Sequence, residues 1–280
     1  MGRGPAYADV PKIGLGTLGH RDDDALTMVS AAIVEGYRHI DTSEYYGNEE
    51  PVGEAIRSSR VPRDDLWVTT KILHPKAPRP DRIRAAAEAS LARLGLEYVD
   101  SMLIHWPNDY FAFEHELEEF TKLRDAGLTR TIGVSNFPSA LLRAALEIDP
   151  DIVMNQVEFH PFLSQEALME VAGETGVLLT AHSPLARGAV VEADVMIEIA
   201  ESHDATPAQV ALAWAVQHDG VIVVPGASPM AEGVELQRVR LQENLAATEL
   251  TLSEHEMARI SNLQRGERIV DGPHAPDWDN

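Results

Sequence analysis

Polar side chains stand where successive apolar runs of the chain stop: Asp41 after Arg-His-Ile, Lys71 after Trp-Val-Thr-Thr, His105 after Met-Leu-Ile, then Ser135-Asn136 and Gln156. A single charged residue in such a place is commonly a solvated loop residue. An acid, a lysine and a histidine ending three consecutive runs are harder to account for that way. Tyr46 lies five residues beyond Asp41 in the loop TSEYYGNE, near enough to reach back over the same place. A phenol with a pKa of about 10 is a sluggish acid at neutral pH, and a nearby ammonium lowers that pKa by favouring the phenolate. Lys71 could supply that charge and Asp41 could hold Lys71. His105 could hydrogen-bond a carbonyl oxygen, orient it and share the proton relay. Such a group suits the addition of hydride to a carbonyl carbon, because the alkoxide that forms must be protonated or stabilised.

These residues need a scaffold that gathers strand ends. Short apolar, β-branched runs recur at residues 13–17, 38–41, 66–71, 99–104, 131–134, 152–156, 177–181 and 221–224. Between them lie segments of helical period, among them 25–35, 81–94, 114–126, 140–147, 165–174 and 207–217. Strands joined by crossover helices must be parallel, and continuous rather than alternating apolar runs fit strands buried on both faces. Thr206-Pro207 supplies a cap and a first-turn proline, and Gly95 and Gly127 close the helices before them. No Ser/Gly linker or break in composition divides the chain. The expectation is an α/β, single-domain (β/α)8 TIM barrel over residues 1–280, with its chemistry on loops at the carboxyl ends of the strands.

Composition narrows the partners. A chain of 280 residues with 44% apolar content can bury one sizeable core. The first thirty residues hold no long apolar run behind a basic start, and no later stretch approaches the ~20 apolar residues of a membrane span. The reading is a soluble, unexported, cytoplasmic protein. A formal charge of −22 would repel phosphate backbones and anionic lipid, which argues against nucleic-acid and membrane partners. An anionic cofactor must therefore meet locally placed donors, and the only lysines are Lys12, Lys71, Lys76 and Lys122. Acidity with scarce lysine suits a salt-tolerant protein, although GC-rich coding produces the same bias. The absence of cysteine excludes disulfides, thiolate metal sites and a cysteine nucleophile.

The segments GYRHIDTSEYYGNE (36–49), WVTTK (67–71), LIHWP (103–107), GVSNF (133–137), NQVEFHP (155–161) and SPLARG (183–188) resemble aldo-keto reductase motifs. They run in family order from Gly14 to at least Asn244, most of the chain, and are similar to those of bacterial and archaeal members of the 2,5-diketogluconate reductase kind. The resemblance implies a (β/α)8 barrel, reversible reduction of aldehydes and ketones, a small-molecule carbonyl substrate and a monomer without metal. It carries the catalytic roles onto Asp41, Tyr46, Lys71 and His105. Tyr46 rather than Tyr45 is followed by the Gly-Asn-Glu of the family pattern. The implied cofactor is NADPH (NADP+), with NADH a weaker alternative.

Cofactor contacts carry over in the same way. Ser135, Asn136 and Gln156 correspond to the carboxamide-binding residues, and Gly16, Thr17 and Asp41 stand beside the same place. His182 takes the position of a stacking aromatic ring, which leaves the stacking altered. Ser183, Leu185 and Gly188 fall near the pyrophosphate, and Glu243-Asn244 fall at the adenine clamp. For the 2′-phosphate, Pro225 is followed by Gly226-Ala227-Ser228, so the lysine many relatives carry is missing. Arg240 with Ser228 could replace it, with Arg238 as the other guanidinium and Glu232 and Glu235 opposing. The implied substrate residues are Leu18, Tyr45 and Trp106, with the tail 267–280, including Trp278, near the substrate mouth.

Other motifs are weaker. Gly14 to Gly19 satisfies G-x-G-x-x-G, but the preceding Ala-Asp-Val-Pro-Lys-Ile has a proline where a central strand needs an amide, against a Rossmann reading. His115-Glu116 and His255-Glu256 lack the second histidine of a helical zinc site and read as solvated helix faces. His160 reads as a hydrogen-bonded structural histidine. Two other functions compete: a barrel that binds a ligand or partner without turnover, and a metal-dependent hydrolase or isomerase. The intact tetrad opposes the first, and too few strand-end ligands oppose the second.

Overall fold

Eight parallel strands lie side by side in chain order: β1 (Leu15–Gly16), β2 (His39–Asp41), β3 (Trp67–Ile72), β4 (Val99–Ile104), β5 (Thr129–Ser135), β6 (Ile152–Glu158), β7 (Leu178–His182) and β8 (Val221–Val223). The computed structural model describes residues 10–73, 80–107, 113–226, 233–271 and 275–279. Every residue of β3, β4 and β6 is buried, as continuous apolar runs require of strands covered on both faces. The anticipated strands agree with the observed ones to within two residues at each end. The first segment also bonds at its other edge. Gly14 N–H donates to Val223 O at 2.8 Å, Gly16 N–H to Pro225 O at 3.0 Å, and Val223 N–H to Lys12 O at 2.9 Å. The sheet is therefore curled, bringing residues 12–16 against residues 223–225.

The crossovers are helical: α1 (Asp22–Glu35), α2 (Glu49–Ser58), α3 (Pro80–Leu94), α4 (Phe113–Asp125), α5 (Ser139–Ile148), α6 (Glu166–Thr175), α7 (Asp194–Ser202) and α8 (Pro207–Gln217). Two more, α9 (Val234–Ala246) and α10 (Glu254–Ser261), follow β8. α1 begins earlier than its apolar period because Asp22, Asp23 and Asp24 fill its first turn, where negative charge meets the helix dipole. Thr206 and Gln209 form a reciprocal capping box ahead of Pro207. Gly95 and Gly127 end α3 and α4 with φ of 62° and 75°.

α2, like α7, α9 and α10, is not among the anticipated helical segments, and it contains Pro51 and Gly53. The proline occupies the first turn, where no amide is needed. The glycine permits close packing: a Cβ there would stand 2.0 Å from Leu94 O. One expectation fails in α4. His115 is exposed, but Glu116 is buried at 4% exposure, on the inner side of the helix rather than on a solvated face.

Candidate active site

The chemistry-bearing residues sit at the carboxyl ends of consecutive strands. Asp41 ends β2, Lys71 is the penultimate residue of β3, His105 follows β4, Ser135 ends β5, Gln156 lies in β6 and His182 ends β7. They surround a cavity of about 680 Å3 also lined by Gly16, Thr17, Leu18, Tyr45, Tyr46, Trp106, Asn136, Ser183, Leu185 and Gly188. Lys71 does not line it directly but acts from beneath. Its side chain is fully buried, with Nζ 2.5 Å from Asp41 Oδ1, 2.9 Å from Thr42 O and 3.3 Å from Tyr46 OH. All three ammonium hydrogens thus have acceptors.

The loop that carries Tyr46 is built for this placement. Ser43 caps a short 3-10 turn over Glu44–Tyr46, and Gly47 leaves it at φ 66°. Asn48 then donates to Thr17 O at 2.8 Å and His20 O at 2.9 Å, tying the Tyr46 loop to the loop after β1. Glu49 is buried and accepts from Thr70 at 2.7 Å and from Arg93. The Gly-Asn-Glu sequence after Tyr46 therefore anchors the phenol rather than meeting the substrate. Tyr45 is 69% exposed at the rim.

Electrostatics correct one expectation. Burial raises the Tyr46 pKa; Lys71 acts in the opposite direction and Asp41 adds to the rise. The net direction is up, not down. Burial also works against the Lys71 charge, yet Asp41 and Tyr46 outweigh it and raise that pKa. Burial holds His182 down at about 4, so this ring is neutral. Its Nε2 lies 3.3 Å from Asn136 Oδ1 and its Nδ1 3.3 Å from Ser183 Oγ.

The cavity's donor set fits a nicotinamide dinucleotide. Gly16 has no room for a side chain, since a Cβ would stand 2.9 Å from Val224 O. Thr17 Oγ1 beside it is buried without a hydrogen-bond partner. Asn136 holds φ at 63°, and its Nδ2 donates to His105 O at 3.0 Å and Ser135 Oγ at 3.1 Å. Ser135 Oγ donates to Gln156 O at 2.8 Å, and Gln156 Nε2 to Asp41 Oδ2 at 2.7 Å. Ser183, Ala186, Arg187 and Gly188 all take positive φ, folding the loop after β7 around the cavity edge.

Other expected contacts lie apart. Arg240, Glu243 and Asn244 on α9 are not among the described residues lining the cavity. Asn244 is buried and hydrogen-bonds Tyr37. Arg238 is committed to Glu35 of α1 at 2.7 and 2.8 Å. Ser228 and Glu232 fall outside the described residues.

Several residues come to notice only here. Arg187 and Val270 line the cavity. Ser43 touches His105, and Glu158 grips the tail: it accepts from Ile269 N–H at 2.7 Å, Val270 N–H at 2.8 Å and His160 Nε2 at 2.9 Å. His160 is accordingly a structural partner, and no cluster of metal-binding side chains occurs among the described residues. In the tail, Trp278 meets Trp106 edge to face at 6.2 Å.

A curled parallel α/β sheet with aspartate, tyrosine, lysine and histidine joined at its carboxyl end defines a carbonyl reductase that uses a nicotinamide cofactor. The chain belongs to the aldo/keto reductase family, whose profile matches residues 12–265. It is 39% identical over 276 residues to the methylglyoxal reductase DkgB of Yersinia pestis, a match covering 96% of this chain and 99% of that protein. An aldo-keto reductase of Mycobacterium sp. (strain KMS) is 35% identical over 266 residues, 94% of this chain and 93% of that one. A solved structure assigned as a 2,5-diketo-D-gluconic acid reductase B superposes with a TM-score of 0.90 at 36% identity, covering 98% of this chain and 96% of that one. The aldose reductase from Schistosoma japonicum gives 0.85 at 30% identity, with 96% and 95% covered. The protein is an oxidoreductase acting on small-molecule carbonyl compounds. No described helix is long and apolar enough to cross a membrane.

Proposed function

We propose that the chain is an NADPH-dependent reductase of small aldehydes and ketones, a cytoplasmic monomer folded as one closed (β/α)8 barrel over residues 1–280. The observation that carries this reading is the Lys71 ammonium bridging Asp41 and the Tyr46 hydroxyl beneath the cavity. Bound NADPH supplies the hydride. Tyr46 gives its phenolic proton to the carbonyl oxygen as charge develops there, and Lys71 stabilises the phenolate left behind. Asp41 fixes Lys71, and His105 orients the oxygen.

Gly16, Thr17, Ser135, Asn136, Gln156 and His182 would hold the nicotinamide end, with Ser183, Leu185 and Gly188 toward the pyrophosphate. Arg240 with Ser228 would meet the 2′-phosphate, and Glu243 and Asn244 the adenine. Leu18, Tyr45 and Trp106 form a largely apolar substrate rim, with Val270 in the cavity wall and Trp278 against Trp106. The methylglyoxal reductase relatives favour compact 2-oxoaldehydes as substrates. The family and its relatives lend no support to a barrel that binds without turnover.

The test is a panel of 2-oxoaldehydes, keto acids, sugars and quinones with NADPH, followed by cofactor absorbance. Turnover highest on small 2-oxoaldehydes supports the reading. Absence of turnover on every carbonyl class would refute it.

A further inference from the structure

Arg187 is the one cationic side chain among the described residues that line the cavity, since Lys71 lies beneath it. It is exposed, and among the described residues no carboxylate pairs with it and no acceptor takes its N–H groups. Arg63, Arg93, Arg124, Arg130 and Arg238, by contrast, each meet a carboxylate within 3.2 Å. A formal charge of −22 leaves few places that attract an anion, so an unpaired guanidinium on a cavity wall is a local exception. Its backbone is tightly turned: Ala186, Arg187 and Gly188 take φ of 48°, 53° and 97° in succession. The turn closes through Ala186 N–H on Ser183 O and Gly188 N–H on Leu185 O, both at 2.8 Å. The amides of Leu185 and Arg187 have no acceptor among the described residues.

Strand order says which anion this guanidinium meets. Ser135, Asn136 and Gln156, proposed for the nicotinamide end, lie on β5 and β6 or just beyond them, and Arg240, proposed for the 2′-phosphate, lies on α9 after β8. β7 stands between β6 and β8. A dinucleotide laid from the β5 and β6 ends toward α9 crosses the loop after β7 with its middle, and its middle is the diphosphate. The proposed substrate residues Leu18, Tyr45 and Trp106 follow β1, β2 and β4, none of which neighbours β7.

We propose that Arg187 binds the diphosphate bridge of the nicotinamide dinucleotide, an ionic contact that NADPH and NADH share. A guanidinium presents a planar fork of N–H donors that matches two phosphate oxygens at once. The proposal rests on the cofactor placement given above. It is separable from the 2′-phosphate contact, because the diphosphate is common to both dinucleotides and the 2′-phosphate belongs to one.

Calorimetric titration of the cofactor-free full chain with NADP+ and with NAD+ tests it. Arg187→Gln should weaken both about tenfold and leave the ratio of the two affinities within about threefold of the wild-type ratio. Arg187→Lys, which keeps the charge without the fork, should bind both dinucleotides within about threefold of wild type. Unchanged affinity for both in Arg187→Gln, or a loss confined to NADP+, overturns the proposal. A raised KM for keto acids with dinucleotide binding intact also overturns it, by placing the guanidinium on a substrate carboxylate. Wild-type protein that binds neither dinucleotide overturns the cofactor reading itself, and this proposal with it.

Discussion

Gln156 Nε2 donates to Asp41 Oδ2 at 2.7 Å, across 115 residues of sequence, while the other oxygen of the same carboxylate takes the Lys71 ammonium. Both residues are 2% exposed. Gln156 therefore satisfies a buried carboxylate in addition to the cofactor role proposed for it. Gln156→Leu should cost about 1–3 kcal/mol of stability without any cofactor, the cost of a buried acceptor left short of a donor. It should also weaken NADP+ binding. Urea unfolding of the cofactor-free protein checks the first part. Unchanged stability would reduce Gln156 to a cofactor contact alone.

Tyr46→Phe isolates the phenol. The Lys71 Nζ lies 5.0 Å from the ring centroid, and the ring meets His105 edge to face at 5.8 Å, contacts that phenylalanine preserves. Fold and cofactor binding should survive while kcat falls by two or more orders of magnitude, roughly the worth of a general acid. Retention of more than about a tenth of wild-type kcat on a good aldehyde would remove Tyr46 as proton donor.

Asp41, Lys71 and His105 were legible because each interrupts an apolar run at its end, and a parallel sheet turns that one-dimensional pattern into a shared mouth. Tyr46 was legible from the loop length and the Gly-Asn-Glu after it. Its pKa direction was not: a neighbouring ammonium can be inferred from strand order, but the degree of burial cannot. Ser43 and Glu158 stayed hidden inside recognised motifs, since their partners lie 62 and 111 residues away. α2 escaped because Pro51 and Gly53 read as breakers until the position of the Leu94 carbonyl explains the glycine. Glu116 misled because a charged residue in a helix says nothing of which way its face turns.

His39 predicts an acid limit to stability. It is fully buried, and burial holds its pKa at about 4 against an ordinary 6.5; Asp41 opposes this shift and Lys71 adds to it. Between those values the unfolded chain binds a proton that the folded one does not. Stability is therefore intact above about pH 6.5 and declines as pH falls toward 4, by about 3 kcal/mol in all from this group. Urea midpoints of the wild type and His39→Gln from pH 7 to 4 should converge as pH falls. Parallel curves would show that His39 does not titrate in this way.

The proposed NADPH preference is tested on α9. The guanidinium proposed for the 2′-phosphate is Arg240, two residues beyond Arg238, which pairs with Glu35 of α1. A guanidinium grips phosphate through two parallel bonds. NADPH should be preferred over NADH by about tenfold or more in kcat/KM, equivalent to about 1.4 kcal/mol. Arg240→Ala should erase most of that preference and leave NADH activity nearly unchanged. A preference surviving the substitution would move the phosphate contact to another residue, and equal use of both cofactors by the wild type would remove it altogether.

Glu158 governs the tail. Burial works against its charge, but His160 and the amides of Ile269 and Val270 outweigh that and lower its pKa, so it meets both N–H groups as a carboxylate. A second anchor lies at the start of α5, where Ser139 N–H and Oγ donate to Asp279 at 2.6 and 2.8 Å. Between these points the tail sets Val270 in the cavity wall and Trp278 against Trp106. Glu158→Gln keeps one carbonyl oxygen but turns an NH2 group toward a backbone amide, leaving one buried N–H without an acceptor. That loss is worth about 1–3 kcal/mol locally, or roughly tenfold to hundredfold faster hydrogen exchange at Ile269 and Val270. The second anchor should keep Asp279 in place, so the loosening stays local. KM for substrates that reach Trp106 should rise about tenfold while kcat changes by less than about threefold, because the proton donor is untouched. Exchange mass spectrometry of the tail, read beside KM, decides it: unaltered exchange at Ile269 and Val270 would show that the carboxylate is dispensable to the tail.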